Sequence, residues 1–277
     1  MIKYVYDVVD KALAIKPAWV EINWHDVDIL ANDMKLIGVE SFFDEKSEYN
    51  LGIRNEILKE LVASSINYCY WYGASNLRPN GCSSTKMYQM VELAFKHPNK
   101  DFNNRMEHLA ELLAVNRFPL LEERRKHLSE LCDGKAEKFT DLTIRKMTNL
   151  DVMCRCFPGF ASDIFLKRAS LFFIQLYRKL GWFKDMELPV PADYQVPKIL
   201  KHYKCIEYKP ELEEAIYENQ LIPKGSIQEI QIRAATIKVC AALAKRLDWF
   251  IGDVDTFLWT RRKEPDENFH LTITTDY

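Results

Sequence analysis

Residues 157–197 constrain the fold more than any other stretch, because they spell out a turn, an amphipathic helix, a proline-punctuated crossover and the mouth of another helix. Pro158-Gly159 breaks the preceding element. Ser162 stands where an N-cap is wanted, Asp163 falls in the favourable first turn, and Gly181 is placed to stop the helix. Between these marks Phe165, Ala169, Phe172, Phe173, Leu176 and Leu180 recur at helical spacing, so one face is apolar and bound for burial. Lys167 and Arg168 fall outside that stripe, one turn from the expected start, a position that suits a solvated side chain. Pro189, Pro191 and Pro197 restrict the backbone around Asp193-Tyr194 and set a carboxylate beside an aromatic ring. Such an acid serves equally as a helix cap or as a fixed chemical group.

The rest of the chain continues the helical theme. Apolar spacing predicts helices over residues 1–15, 25–37, 54–72, 85–96, 104–116, 119–133 and 212–219. A long helix follows the capping box Ser226-Ile227-Gln228-Glu229, with Ile230, Ala234, Ile237, Ala241 and Ala244 as its inward face and Arg233 off that stripe. Trp19-Val20-Glu21-Ile22-Asn23 is the best candidate for an extended piece. The expected class is therefore all-α, mainly helical with one or two short strands. The 277 residues suit one domain with lobes over about 1–118 and 119–263 and a polar tail, 264–277, expected to fray. The connection 73–84, with Asn76, Pro79, Asn80 and Gly81, reads as the most flexible loop of the first half, and Glu122-Glu123-Arg124-Arg125-Lys126 as a solvated face laced with ion pairs.

Composition removes several function classes. A formal net charge of -2 gives no global attraction for a polyanion, so no duplex nucleic acid is expected as partner. Neither a G-x-G-x-x-G nor a G-x-x-x-x-G-K element occurs among only 9 glycines, which argues against a Rossmann or P-loop nucleotide site. The seven cysteines lack paired C-x-x-C spacing and the six histidines form no H-E-x-x-H pattern, so neither a metal nor a cofactor is expected. No apolar run suits a membrane span, and Met1-Ile2-Lys3-Tyr4 opens no signal peptide, so the expected location is cytoplasmic.

Three features suggest chemistry. Asn67-Tyr68-Cys69-Tyr70-Trp71-Tyr72 carries more rings than one core stripe can use, and aromatic faces stack nucleobases. Lys167 and the rigid Asp193-Tyr194 pair are the others. A fixed acid against an apolar wall suits cleavage of an N-glycosidic bond, whose transition state places positive charge on the sugar.

These segments resemble the queuosine salvage protein family of queuosine 5′-phosphate N-glycosidases, whose fold is related to the helical DNA glycosylases. The resemblance is carried, in order, by Asn67-Tyr68-Cys69-Tyr70-Trp71, Pro119-Leu120-Leu121-Glu122-Glu123-Arg124, Phe157-Pro158 with Phe165-Leu166-Lys167-Arg168-Ala169, Ala192-Asp193-Tyr194-Gln195-Val196-Pro197, the box from Gly225 to Arg233, and Asp255-Thr256-Phe257-Leu258-Trp259. It implies a helical two-lobed bundle, a cofactor-free N-glycosyl hydrolase releasing queuine or a related 7-deazaguanine base, and a small nucleotide as partner. It further implies that Asp193 is the catalytic carboxylate and Lys167 a catalytic-pocket residue near the sugar or phosphate. Asn67, Trp71, Tyr194, Asp163, Arg233 and Asp255 join the substrate-binding set, with a structural Arg233 to carboxylate pair as the rival reading. Ser64 and Gln195 depart from the family pattern, as does the run Cys82-Ser83-Ser84-Thr85-Lys86-Met87, all near the expected base pocket. Two alternatives keep the fold: a glycosylase of hypermodified, for instance viral, DNA bases with Lys167 as a covalent amine, and a nucleotide-binding relative without turnover.

Overall fold

The computed structural model describes residues 1–38, 52–73, 78, 81–98 and 101–277. Loop features at Asn76, Pro79 and Asn80 lie outside the described residues. Regular structure among those described is fourteen helices and one two-stranded sheet, so the protein is mainly all-α. In chain order these are α1 (Ile2–Ala14), β1 (Val20–Ile22), α2 (Trp24–Ile37), α3 (Gly52–Ser65), α4 (Ser84–Lys96), α5 (Phe102–Val115), α6 (Leu121–Glu130) and α7 (Lys135–Ile144). Then follow α8 (Leu150–Cys156), α9 (Pro158–Ala161), α10 (Lys167–Leu180), α11 (Gln195–His202), β2 (Ile206–Tyr208), α12 (Pro210–Tyr217), α13 (Ile227–Leu247) and α14 (Ile251–Thr260). β1 pairs antiparallel with β2 in the register Val20 to Tyr208 and Ile22 to Ile206.

α13 is the central post, packed against α1, α2, β1, α11 and α14. Residues 231–237 are buried on every side, and Ala234 and Ala235 let neighbours approach closely, so the predicted single inward stripe was too narrow and Arg233 lies inside. Gln231 fastens the chain's first turn to this post, accepting from Trp19 N at 2.6 Å and donating to Ala12 O and Ile15 O at 3.0 and 3.1 Å. Ser226 caps the helix as its box predicts, while Glu229 reaches back to Gly225 N at 3.1 Å.

The predicted helix over 54–72 is corrected: α3 stops at Ser65, and residues 67–71 run on without helical structure. Cys69 has φ +31°, which no α-helix accommodates. A buried non-helical segment leaves carbonyls that need donors. Three buried cations supply them. Arg124 donates to the carbonyls of Ile66, Tyr68 (2.5 Å), Cys69 (2.7 Å) and Pro119 (2.8 Å), Arg168 to those of Ser65 and Gly159, and Lys167 Nζ to Asn67 O at 3.0 Å. The expected solvation of Arg124, Lys167 and Arg168 is thereby overturned; all three are buried.

Residues 264–277 do not fray throughout as predicted. His270, Leu271, Thr272 and Tyr277 are buried, because this segment satisfies groups inside the protein. Tyr277 O accepts from Cys69 N at 2.9 Å, Leu271 O from Ile222 N at 2.8 Å, and Thr272 Oγ1 donates to Ile222 O at 2.9 Å.

Candidate active site

α10 begins at Lys167 rather than after Ser162: its N-cap position is Leu166, in the left-handed conformation and without a side-chain cap, and Asp163 accepts the N–H of Lys167 from outside the helix. Its Oδ1 accepts from Phe165 N at 3.0 Å and its Oδ2 from Lys167 N at 2.7 Å, whereas Ser162 Oγ donates to Gly159 O. Starting the helix there turns Lys167, Leu171, Gln175 and Arg178 to one face, spaced by four, four and three residues, and that face lines a cavity of about 170 Å³. Opposite stand Asn67, Tyr68 and Tyr70 of the non-helical segment, Ser84, Thr85 and Tyr88 of α4, and Asp255 and Trp259 of α14.

Asp193 closes one side. Its Oδ1 accepts from Gln195 N at 2.7 Å and Val196 N at 3.3 Å, so the carboxylate caps α11 and lines the cavity at once. The two roles are compatible, since the cap uses one oxygen and leaves Oδ2 without a partner among the described residues. Arg233 ties this acid's backbone to the start of α10: Nε donates to Ala192 O at 3.0 Å and Nη2 to Asp163 Oδ2 at 2.7 Å. One buried guanidinium therefore sets the position of both Asp193 and Lys167.

Burial lowers Lys167 to about 8 despite the opposing pull of Asp193, and the nearby Arg168 lowers it further. Burial likewise raises Asp255 to about 6; Arg178, whose Nη2 lies 2.8 Å from Asp255 Oδ2, opposes this, while Asp193 adds to it. The cavity thus holds an amine whose proton affinity burial lowers and a carboxyl whose proton affinity burial raises, beside an oriented second carboxylate. Tyr194 packs edge-on against Trp71 at 4.8 Å between ring centroids and tilts against Phe269 at 4.6 Å; burial raises its hydroxyl to about 12.

Of the residues singled out in the sequence, the fold gathers Asn67, Lys167, Asp193, Tyr194 and Asp255 around this cavity. Trp71, Asp163 and Arg233 do not line it: Trp71 backs Tyr194, and the other two form the buried strut. The partner of Arg233 is thus Asp163 with Glu229, and that of Asp255 is Arg178. Among the described residues no group of histidine, cysteine and acidic side chains could hold a metal ion, and no helix is long and apolar enough to cross a membrane.

A family profile described as Queuosine salvage protein matches residues 60–275. The chain belongs to the queuosine salvage protein family. Queuosine 5′-phosphate N-glycosylase/hydrolase of Dictyostelium discoideum is 29% identical over 258 residues, spanning 78% of this chain and 77% of that protein. The enzyme of the same name from Sphaerobacter thermophilus is 34% identical over 171 residues, 51% of this chain and 52% of the relative. That of Schizosaccharomyces pombe is 27% identical, covering 54% and 51%. Within the queuosine salvage framework, reading by motif missed Gln175 and Arg178, although their spacing from Lys167 and Leu171 was a usable signal. Ser84 and Thr85 of the divergent run do border the cavity, whereas Tyr88, one turn further along α4, was missed and its periodicity offered no signal.

Proposed function

We propose that this protein hydrolyses the base–ribose bond of a queuosine-like, 7-deazaguanine nucleoside 5′-monophosphate and releases the free base. The observation that carries the reading is Asp193, a carboxylate aimed by two backbone N–H groups into a cavity walled by Tyr68, Tyr70, Tyr88, Tyr194 and Trp259. Water attacks C1′ as the bond to the base breaks, and the fixed carboxylate stabilises the oxocarbenium-like sugar and orients that water. Because the cap already holds the carboxylate, little reorganisation is needed when charge develops. The rings offer π faces to the base, and Lys167, anchored on Asn67 O, directs its ammonium toward the sugar or its phosphate.

The names of the relatives favour this reading over a DNA-directed glycosylase or a binding protein without turnover. Incubation with queuosine 5′-monophosphate, followed by mass spectrometry, tests it. Free queuine and ribose 5-phosphate are expected in equal amounts; intact nucleotide after prolonged incubation at high enzyme concentration would refute it.

A further inference from the structure

Residues 269–277 run past the cavity and meet three of its supports. Phe269 tilts against Tyr194 at 4.6 Å and against Trp71 at 5.5 Å between ring centroids, so it backs the ring that follows Asp193. Tyr277 borders the cavity, and its ring centroid lies 4.4 Å from Arg233 Cζ, with Phe165 the other ring on that guanidinium at 4.8 Å. The carbonyl of Tyr277 accepts from Cys69 N at 2.9 Å, in the non-helical segment whose Asn67 O holds Lys167 Nζ.

The segment has an anchor of its own, apart from these contacts. Leu271 O accepts from Ile222 N at 2.8 Å, Thr272 Oγ1 donates to Ile222 O at 2.9 Å, and Asp276 Oδ1 lies 2.9 Å from Lys224 Nζ, which fastens it to the loop ahead of α13. Within it, His270 Nε2 meets the Tyr277 hydroxyl at 3.1 Å. Burial and the nearby Arg233 lower that imidazole to about 3, so it stays neutral and adds no second charge beside the guanidinium. Arg233 in turn sets Asp193 through Ala192 O and Lys167 through Asp163. A guanidinium packed on two rings gives up cation–π attraction if it shifts.

Misplacing a catalytic group by about 1 Å costs about 10²-fold in rate, so the packing behind such a group belongs to the mechanism. We propose that Tyr277 and Phe269 are positioning residues for base release, Tyr277 acting through Arg233 on Asp193 and Lys167, and Phe269 acting through Tyr194 on Asp193. This rests on the N-glycosidase reading. Neither residue supplies charge or a proton to the reacting bond; each fixes the backbone from which the acid or the amine projects. For Tyr277 the ring carries the effect, because the hydroxyl is engaged by His270.

The test compares wild type, Tyr277→Phe, Tyr277→Leu and Phe269→Leu for kcat and KM on queuosine 5′-monophosphate, for thermal unfolding, and for backbone hydrogen exchange without substrate. Each Leu variant is expected to lower kcat about tenfold or more, with KM within about threefold of wild type. Each is also expected to speed exchange at residues 192–196 and to leave α5 as it was. Tyr277→Phe keeps the ring on Arg233 and deprives His270 of its partner, so it is expected to melt below wild type yet hold kcat within about threefold. That split separates positioning from a purely structural role, in which kcat would follow the melting temperature. A kcat within about twofold of wild type in both Leu variants, unchanged exchange at 192–196, or equal losses in Tyr277→Phe and Tyr277→Leu would overturn the proposal. If wild type releases no base, the N-glycosidase reading fails, and exchange at 192–196 still decides the positioning. Should one Leu variant not fold, the other decides the matter.

Discussion

Among the described residues two arginine–aspartate pairs of nearly equal length, the fully buried Arg233 with Asp163 at 2.7 Å and the half-buried Arg178 with buried Asp255 at 2.8 Å, do different work. Asp163 is saturated: both oxygens accept backbone N–H groups and one also takes Arg233. Arg233 is enclosed by the rings of Phe165 and Tyr277 and bonded to Glu229 and Ala192 O. Asp255 has one oxygen on Arg178 and borders the cavity. Their titrations follow suit, since Arg233 and the N–H donors outweigh burial and hold Asp163 below 3.8, whereas burial raises Asp255 to about 6. Saturation, not the identity of the pair, separates a structural strut from a group left available to a ligand.

The contrast breaks most visibly at the strut. Arg233→Met leaves the Asp163 carboxylate buried without its cation and is expected to destabilise by about 3–5 kcal/mol in chemical denaturation, with Asp163→Asn costing less because Glu229 still pairs with Arg233 at 3.4 Å. A loss under about 1 kcal/mol would show that the strut carries no weight.

The dependence on pH sharpens the contrast, because the two acids act with opposite sign. Asp255 binds its proton more tightly folded than unfolded, so its contribution is greatest below pH 3.8 and declines as pH rises toward about 6. The shift corresponds to about 3 kcal/mol, so the stability of wild type relative to Asp255→Asn should fall across that window. Asp163 stabilises above pH 3.8 and loses that contribution as the solution is acidified further. Denaturation midpoints from pH 3 to 8 for the two Asn variants check both signs; parallel curves would erase the distinction. The smallest effect is at Thr256, whose Oγ1 accepts from Arg178 Nε at 2.8 Å. Thr256→Val is expected to cost about 1 kcal/mol and to shift the Asp255 titration measurably in NMR; no movement would mean that Arg178 is held without it.

What the sequence disclosed was local. Gly181 ends α10 and Ser226 opens α13 as predicted, because a cap depends on residues within one turn. The overlong helix at 54–72 failed for the converse reason. Its end is imposed by Arg124, Lys167 and Arg168, which lie 55 to 103 residues away from the carbonyls they satisfy in that segment. No window of sequence shows such donors, so charged residues read as solvated turned out buried. At the site, the motifs combined cavity residues with their supports: Asn67, Lys167, Asp193, Tyr194 and Asp255 meet at one hollow, while Asp163, Arg233 and Trp71 stand behind it. Matching a motif does not tell the two apart. Hydrogen-bond saturation does.

Under the proposed chemistry, base release depends on Asp193. The most direct measurement is the rate of queuine release from queuosine 5′-monophosphate by Asp193→Asn beside wild type, with thermal unfolding of both recorded. Asparagine can still cap α11 but cannot stabilise the cationic sugar, so a loss of about 10²–10⁴-fold in kcat with a nearly unchanged melting temperature is predicted. Equal rates in the two proteins would contradict it.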